Sequence, residues 1–294
     1  MTIPLLQNSH GIRPEVVLDD FFPEGIVAMD FADEASSLLI ATRRGQLTLM
    51  KQDGTMLETS REFQTIHRLA WSDAGNYGLL VPREDQVVLV DRSLQPVWNV
   101  SITGRILAIA IAPHGGHLAF STDSGRVHIV TVDRREIGRI DTPRPIDHLA
   151  FLSEEPALIA AAEFGSLSSY TLEGTELWSE KLINNVGDLS VSGCGRRILL
   201  AAFNHGIQLC NRSGKQRGSF MVDGIPARVS GATTRTRLAA LTLENRVYWL
   251  DFEGDLKWAA DLSPDPPQHI CVGPLGDRLF LATASGRLMQ LSWA

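Results

Sequence analysis

The chain has 294 residues, of which 44% are hydrophobic, and its 34 acidic and 27 basic side chains give a formal charge of −7. This balance argues against a nucleic-acid-binding protein, because such surfaces are normally basic. The cysteines Cys194, Cys210 and Cys271 show no disulfide or metal-ligand spacing, and no segment resembles a signal peptide or a membrane span, so we expect a cytoplasmic protein without membrane contact.

A period of 40 residues organises the chain. Each unit begins with a six-residue apolar segment, and one extra residue precedes the last unit. The segments start at Ile26, Ile66, Ile106, Ile146, Val186, Pro226 and Pro267. They are bounded by Gly, Asp and Pro and lack the apolar stripe of a packed helix, which predicts β-strands.

Three further strand-like runs follow in most units, and the fourth is the most polar, as expected of an outermost strand that faces solvent. Four short strands per unit are typical of a propeller blade. We therefore predict an all-β chain that folds as one domain, residues 1–294. The predicted architecture is a seven-bladed β-propeller of four-stranded antiparallel blades.

The last unit lacks a fourth strand, because the chain has only three residues after GRLMQL. Residues 16–22, VVLDDFF, precede Ile26 in the register that MLETSRE has before Ile66. We predict that this N-terminal strand completes the last blade and closes the ring, which leaves no unpaired inner edge. The alternative is a flexible N-terminal arm.

Several motifs resemble those of WD-repeat-like and PQQ-like propellers. They are the turns SDAG and GPLGD before second strands and the G-x-x-x-W pattern of GTELW and GDLKW. The Gly-His and Trp-Asp pair of true WD repeats does not occur. Quinoprotein enzymes of the PQQ-like kind are larger and have a cofactor pocket with metal ligands, so we expect no cofactor. Trp98, Trp178 and Trp258 are predicted to pack between blades.

A predicted polar ring carries the candidate binding residues. In a propeller the first strands line the central channel, so residues at one position of each segment form a ring. The third position reads Ala28, Arg68, Ala108, His148, Asp188, Arg228 and His269. This ring either binds an anionic ligand or holds a water network without a ligand. Asp188 and Arg228 are also placed to pair with each other, and the two histidines are too far apart around the ring to share a metal.

Arg43 and Arg44 lie in a turn between the second and third strands of the first unit. They either contact an anion or are solvated turn residues. Turns at this end of the repeats are rich in arginine, so we expect a partner recognised through arginine to prefer this top face.

The function favoured by these patterns is a non-catalytic scaffold, a monomer that binds a protein or peptide through its top face and channel mouth. The alternative is a small anionic ligand site, or a lyase-like or lactonase-like enzyme site, at Arg68, His148, Asp188, Arg228 and His269. A purely structural role is a third possibility. No Ser-His-Asp set, carboxylate pair or phosphate-binding glycine loop supports catalysis.

Overall fold

A computed structural model of the chain describes residues 8–192 and 195–293, and within these residues it has 28 strands and no helix. The strands pair antiparallel, so the prediction of an all-β chain with antiparallel sheets is confirmed. None of the described residues forms a helix that is long and apolar enough to cross a bilayer.

The chain divides into two compact units. One unit consists of residues 27–183, and the other consists of residues 1–26 together with residues 184–294. The second unit begins with two strands, β1 (Ser9–Gly11) and β2 (Glu15–Phe21).

The unit of residues 27–183 contains four successive sets of strands. The first three sets are β3 (Ile26–Ala32), β4 (Ser37–Thr42), β5 (Leu47–Lys51) and β6 (Met56–Ser60); β7 (Arg68–Trp71), β8 (Tyr77–Arg83), β9 (Gln86–Asp91) and β10 (Pro96–Ser101); and β11 (Ile106–Ile111), β12 (His117–Thr122), β13 (Arg126–Thr131) and β14 (Glu136–Asp141). The fourth set is β15 (His148–Phe151), β16 (Ala157–Ala162), β17 (Phe164–Thr171) and the first half of β18 (Glu176–Val191). In each set the strands follow one another in chain order across the sheet.

The other unit contains the second half of β18 and ten further strands. These are β19 (Arg197–Ala202), β20 (Gly206–Asn211) and β21 (Gln216–Phe220); β22 (Pro226–Gly231), β23 (Arg237–Thr242), β24 (Arg246–Asp251) and β25 (Leu256–Asp261); and β26 (Pro267–Val272), β27 (Arg278–Thr283) and β28 (Arg287–Ser292). Both N-terminal strands join these sheets. The strand orders are β1-β25-β24-β23-β22 and β2-β28-β27-β26.

The burial of each strand explains why the middle strands of a repeat are apolar and the outer strands are more polar. The middle strands are the most deeply buried, and every residue of β4 and of β16 is buried. The outer strands alternate between exposed and half-buried residues, as in β10. Within each unit the cores lie between successive sheets; one of them contains Trp249, Trp258 and Leu291. The middle strands therefore read as continuous apolar runs, while the outer strands do not.

Side chains at the fifth position of three first-strand segments connect neighbouring sheets. Each accepts a hydrogen bond from a backbone N–H in the first strand of the next sheet within the same unit. The acceptors and their donors are Asp30 Oδ2 for Trp71 N–H (2.8 Å), Ser190 Oγ for Gly231 N–H (3.1 Å) and Ser230 Oγ for Val272 N–H (3.0 Å). These small or acidic residues therefore satisfy backbone groups that the strand ladders leave unpaired.

Candidate functional site

In the unit of residues 27–183, the two polar third-position residues begin first strands. Arg68 is the first residue of β7 and is exposed, and His148 is the first residue of β15 and is half-buried. Their Cα atoms pair with those of Val81 and Ala161 in the next strand of each sheet. Both side chains therefore sit at the same end of their sheets.

In the other unit, Asp188, Arg228 and His269 lie in β18, β22 and β26. In each strand pair the register shifts immediately before the third-position residue. A bulge of this kind re-aims the side chain that follows it, and bulges are common beside binding sites. Three successive sheets thus present a carboxylate, a guanidinium and an imidazole at the same register position.

Asp188 accepts a backbone hydrogen bond from the first strand of the next sheet. Its Oδ2 atom accepts a hydrogen bond from the N–H of Val229 at 3.0 Å, and Val229 is buried. Its Oδ1 atom lies 3.9 Å from Nη1 of Arg228, with side-chain exposures of 21% for Asp188 and 47% for Arg228. The ion pair is therefore long and partly solvated, while the backbone hydrogen bond has an ordinary length and is part-buried.

The guanidinium of Arg228 has unused hydrogen-bond donors. Among the described residues its guanidinium has no hydrogen-bond partner, and its one ion-pair contact is the 3.9 Å approach to Asp188. A guanidinium carries five N–H groups in a fixed planar fork that fits a carboxylate or a phosphate. Arg228 is thus a half-exposed cation whose hydrogen-bonding capacity is unused.

Burial lowers the pKa of His269 to about 4, and the positive charge of Arg228 acts in the same direction. The imidazole is therefore uncharged at neutral pH. A neutral imidazole beside a guanidinium can donate one hydrogen bond and accept another. An anion that approached Arg228 would counteract its positive charge and so oppose the second of these two causes.

No protein-family model and no curated protein matches this sequence. Within residues 8–192 and 195–293, no three His, Cys, Asp or Glu side chains are grouped closely enough to hold a metal ion. Cys210 is buried and Cys271 is half-buried, whereas Cys194 lies outside the described residues.

Arg43 and Arg44 are exposed in the turn between β4 and β5. The turn closes through Gly45, whose φ of +77° brings its Cα against the carbonyl of Phe63; a Cβ there would lie 2.2 Å from that oxygen. The glycine is thus required by this close approach. The two arginines are solvated in this arrangement, and their role in binding stays a prediction.

An apolar patch on the unit that holds Arg228 was missed by the sequence reasoning. We call it the Ile225 patch; its members are Phe203, Ile225 and Leu243. Leu243 is 61% exposed and Ile225 is 37% exposed, and the N–H of Leu243 donates to the carbonyl of Ile225 at 2.9 Å. The sequence does contain a sign of this patch. Leu243 stands at a turn position where the first three units have the charged residues Arg43, Arg83 and Asp123.

We expect Asp188→Ala to lower the free energy of unfolding by about 1–3 kcal/mol, because the buried N–H of Val229 loses its acceptor. Arg228→Ala should change it by less than about 1 kcal/mol, since a solvated pair at this distance contributes little. Asp188→Asn is the matched control and should restore most of the loss, because its amide oxygen can still accept. Urea unfolding of the three variants and the wild type measures these changes in the free energy of unfolding. A loss in Arg228→Ala as large as that in Asp188→Ala would show that the ion pair is the structural element.

Proposed function

We propose that the seven repeats form a seven-bladed β-propeller whose last blade is completed by β2. The 40-residue period, the four strands per repeat and the antiparallel order of each set support this proposal. The order β2-β28-β27-β26 supports the role of β2, because it places an N-terminal strand outside the last three strands of the chain.

We further propose that the protein is a non-catalytic scaffold that binds a protein or peptide partner at the Ile225 patch and Arg228. The observation that carries this proposal is the combination of exposed apolar side chains with a guanidinium whose donors are unused. Arg228 lies three residues after Ile225, so both belong to the same end of one sheet. Interface centres typically combine large apolar groups with arginine.

The patch is held in a fixed shape. The N–H of Ile225 donates to Oε2 of Glu244 at 2.8 Å. A side chain added at Gly187 would lie 2.6 Å from the ring of Phe203 and 3.3 Å from the carbonyl of Ala227, which places that ring close to the start of β22. A preformed surface of this kind loses little conformational entropy when a partner binds. The partner that fits it presents an apolar side chain a few residues from a carboxylate.

A second candidate is a small anionic ligand at Arg228 and His269, without a macromolecular partner. It is favoured by the neutral imidazole beside the unused guanidinium. A carboxylate bound to both would form charge-assisted hydrogen bonds with the arginine.

We expect Leu243→Asp to reduce partner binding at least tenfold, because a charge would replace the most exposed apolar side chain of the patch. Partners are captured by crosslinking and mass spectrometry from cells that make the protein natively, with the wild-type chain and each variant as bait. Met56→Asp is the matched control, since Met56 is also 61% exposed and lies in β6, outside the patch. Equal recovery with Leu243→Asp and Met56→Asp would refute the patch as the contact. Loss with Arg228→Ala alone, together with stabilisation by a carboxylate metabolite, would favour the second candidate.

A further inference from the structure

A cavity of about 500 Å³ opens on the outer part of the sheet that contains β1, β25 and β24. We call it the Tyr248 cavity; it lies in the unit of residues 1–26 and 184–294, and Asp223, Arg246, Tyr248, Leu256, Ala259 and Asp261 line it. Its volume falls within the range of small-molecule sites, which is about 300–1,000 Å³. The Ile225 patch lies outside this lining.

The floor of the cavity is one face of three neighbouring strands. Strand register places Arg246 opposite Asp261, Tyr248 opposite Ala259, and Leu250 opposite Leu256. Alternate residues share a face, and the register shift between Trp249 and Leu250 brings Leu256 to the face of Ala259, so all three rows line the cavity. The floor therefore changes from charged at one end, through an aromatic centre, to apolar at the other end.

Strand β1 extends this floor by one strand. His10 lies opposite Ala259, which adds an imidazole to the aromatic row. The strand approaches β25 closely at Gly11, whose φ is +91° and where a Cβ would lie 2.3 Å from the carbonyl oxygen of Lys257. Without this glycine, β1 could not dock at its present distance.

The loop after β21 forms the wall, and β24 fixes its position. The hydroxyl of Tyr248 donates to the carbonyl of Asp223 at 2.6 Å, and the guanidinium of Arg246 forms an ion pair with the carboxylate of Asp223. Met221 precedes Asp223 in this wall and is 74% exposed. The cavity is thus preformed, because its wall is tied to its floor by two contacts.

The charged end carries an excess of negative charge. The acidic side chains are Asp223 and Asp261, whereas Arg246 is the fixed cation of the lining. Hydrogen bonds from Ser263 lower the pKa of Asp261, so this carboxylate is ionised at neutral pH. Asp223 already pairs with Arg246, which leaves Asp261 as the group with the greater capacity for an added cation.

We propose that the Tyr248 cavity binds a ligand with an apolar ring or chain and a single cationic amine. The ammonium group meets Asp261 at the charged end, and the apolar body lies over Tyr248, Ala259 and Leu256. An anionic ligand of the same shape would meet two carboxylates and one guanidinium already paired with Asp223, so the excess negative charge disfavours it.

Two probes of matched shape test this proposal. Tryptamine and indole-3-propionate carry the same ring on a two-carbon chain, and they end in an ammonium and a carboxylate respectively. We expect the intact protein to bind tryptamine at least tenfold more tightly in isothermal titration calorimetry. Asp261→Asn should weaken tryptamine at least fivefold and strengthen indole-3-propionate. A variant that failed to fold would lose both probes, so opposite changes for the two identify the local charge.

Asp133→Asn is the control variant, because it removes the same charge from an exposed turn in the other unit. It should leave both affinities within twofold of the wild type. Equal affinities for the two probes, tighter binding of the carboxylate, or no binding of tryptamine at millimolar concentration would overturn the proposal. An effect of Asp133→Asn equal to that of Asp261→Asn would overturn it as well, since the net charge of the protein would then explain the preference.

Discussion

Deletion of residues 1–24 is expected to lower the free energy of unfolding by on the order of 5 kcal/mol, because it removes the short strand β1 from the edge of β25 and the whole of β2 from the edge of β28. Strand β2 pairs with β28 along its length, from Glu15 opposite Ser292 to Phe21 opposite Arg287. Its Val16 packs against the core of Trp249, Trp258 and Leu291. Without β2, the edge of β28 would be exposed and open to pairing with another chain.

Two further contacts add to this loss. Arg287 donates two hydrogen bonds to the carboxylate of Asp19, at 2.6 and 2.7 Å, and these hold the pKa of Asp19 below its usual range. The indole N–H of Trp293 donates to the carbonyl of Ile12 at 2.8 Å, and the Trp293 ring stacks on Trp249 at 4.5 Å. The deletion thus removes strand pairing, packing and side-chain hydrogen bonds from one place.

Urea unfolding followed by circular dichroism measures the effect, and sedimentation shows whether the truncated chain associates. Val16→Lys and Val17→Lys provide a matched pair, since Val16 packs inward whereas Val17 is exposed. Only Val16→Lys should reproduce a substantial part of the loss. A synthetic peptide of residues 8–24 should restore stability when added to the truncated chain. A truncated chain that stays monomeric and unfolds at the wild-type urea concentration would refute this role of β2.

The second large effect is a dependence of stability on pH that comes from Asp30. Burial raises the pKa of Asp30 from 3.8 to about 7, although the N–H groups of Trp71 and Phe31 donate to its carboxylate. Between pH 4 and pH 7 the folded protein therefore binds a proton that the unfolded chain does not. The contribution of Asp30 to stability falls as pH rises through this window and is constant above it. A pKa shift of this size corresponds to a fall in the free energy of unfolding on the order of 4 kcal/mol between the two ends of this window.

Two other groups act in the same pH range. Burial and the neighbouring Asp33 raise the pKa of Asp73 to about 6, so its contribution has the same sign as that of Asp30. His269 has the opposite sign: its pKa is lowered to about 4, so its contribution is lost as pH falls from 6.5 to 4. The wild-type profile combines these effects, and the difference between the wild type and an Asp30 variant reports Asp30 together with its charge repulsion from Asp73.

We therefore expect Asp30→Asn to stabilise the protein at high pH and to destabilise it at low pH. At pH 8 the variant should be more stable than the wild type, because no charge is buried. At pH 5 it should be slightly less stable, because the amide can accept from one N–H but not from both. Thermal melting at half-unit pH intervals tests this, with His269→Gln as the control that alters the opposite slope. A constant difference between wild type and Asp30→Asn from pH 5 to pH 8 would contradict the assignment.

The local pattern predicted the strands better than it predicted the site. Strand β3 begins at Ile26 and β22 at Pro226, where the apolar segments were expected to start. Strand β7 begins two residues later than its segment, at Arg68. Apolar runs and turn residues are local properties that mark each strand, and their return after 40 residues identifies the repeat.

The grouping of the third-position residues as one ring stays a prediction, and the role of each depends on contacts with the next sheet. Nothing in the sequence around Asp188 shows that its carboxylate accepts from Val229, 41 residues away. The Tyr248 cavity was not predictable either, because it exists only where β1 adds to β25. A three-residue strand has too little pattern to be recognised, and its docking depends on the φ of one glycine.

The bonds that the fifth-position side chains of Asp30, Ser190 and Ser230 make to the next sheet have a direction. In each of them the acceptor belongs to the earlier repeat and the donor N–H to the later one, as with Ser190 and Gly231, or Ser230 and Val272. During synthesis on the ribosome the acceptor emerges first, so a finished sheet already offers a docking point when the next first strand leaves the exit tunnel. The chain can thus add sheets one after another from its N-terminal side, and each new sheet settles on one that has already formed.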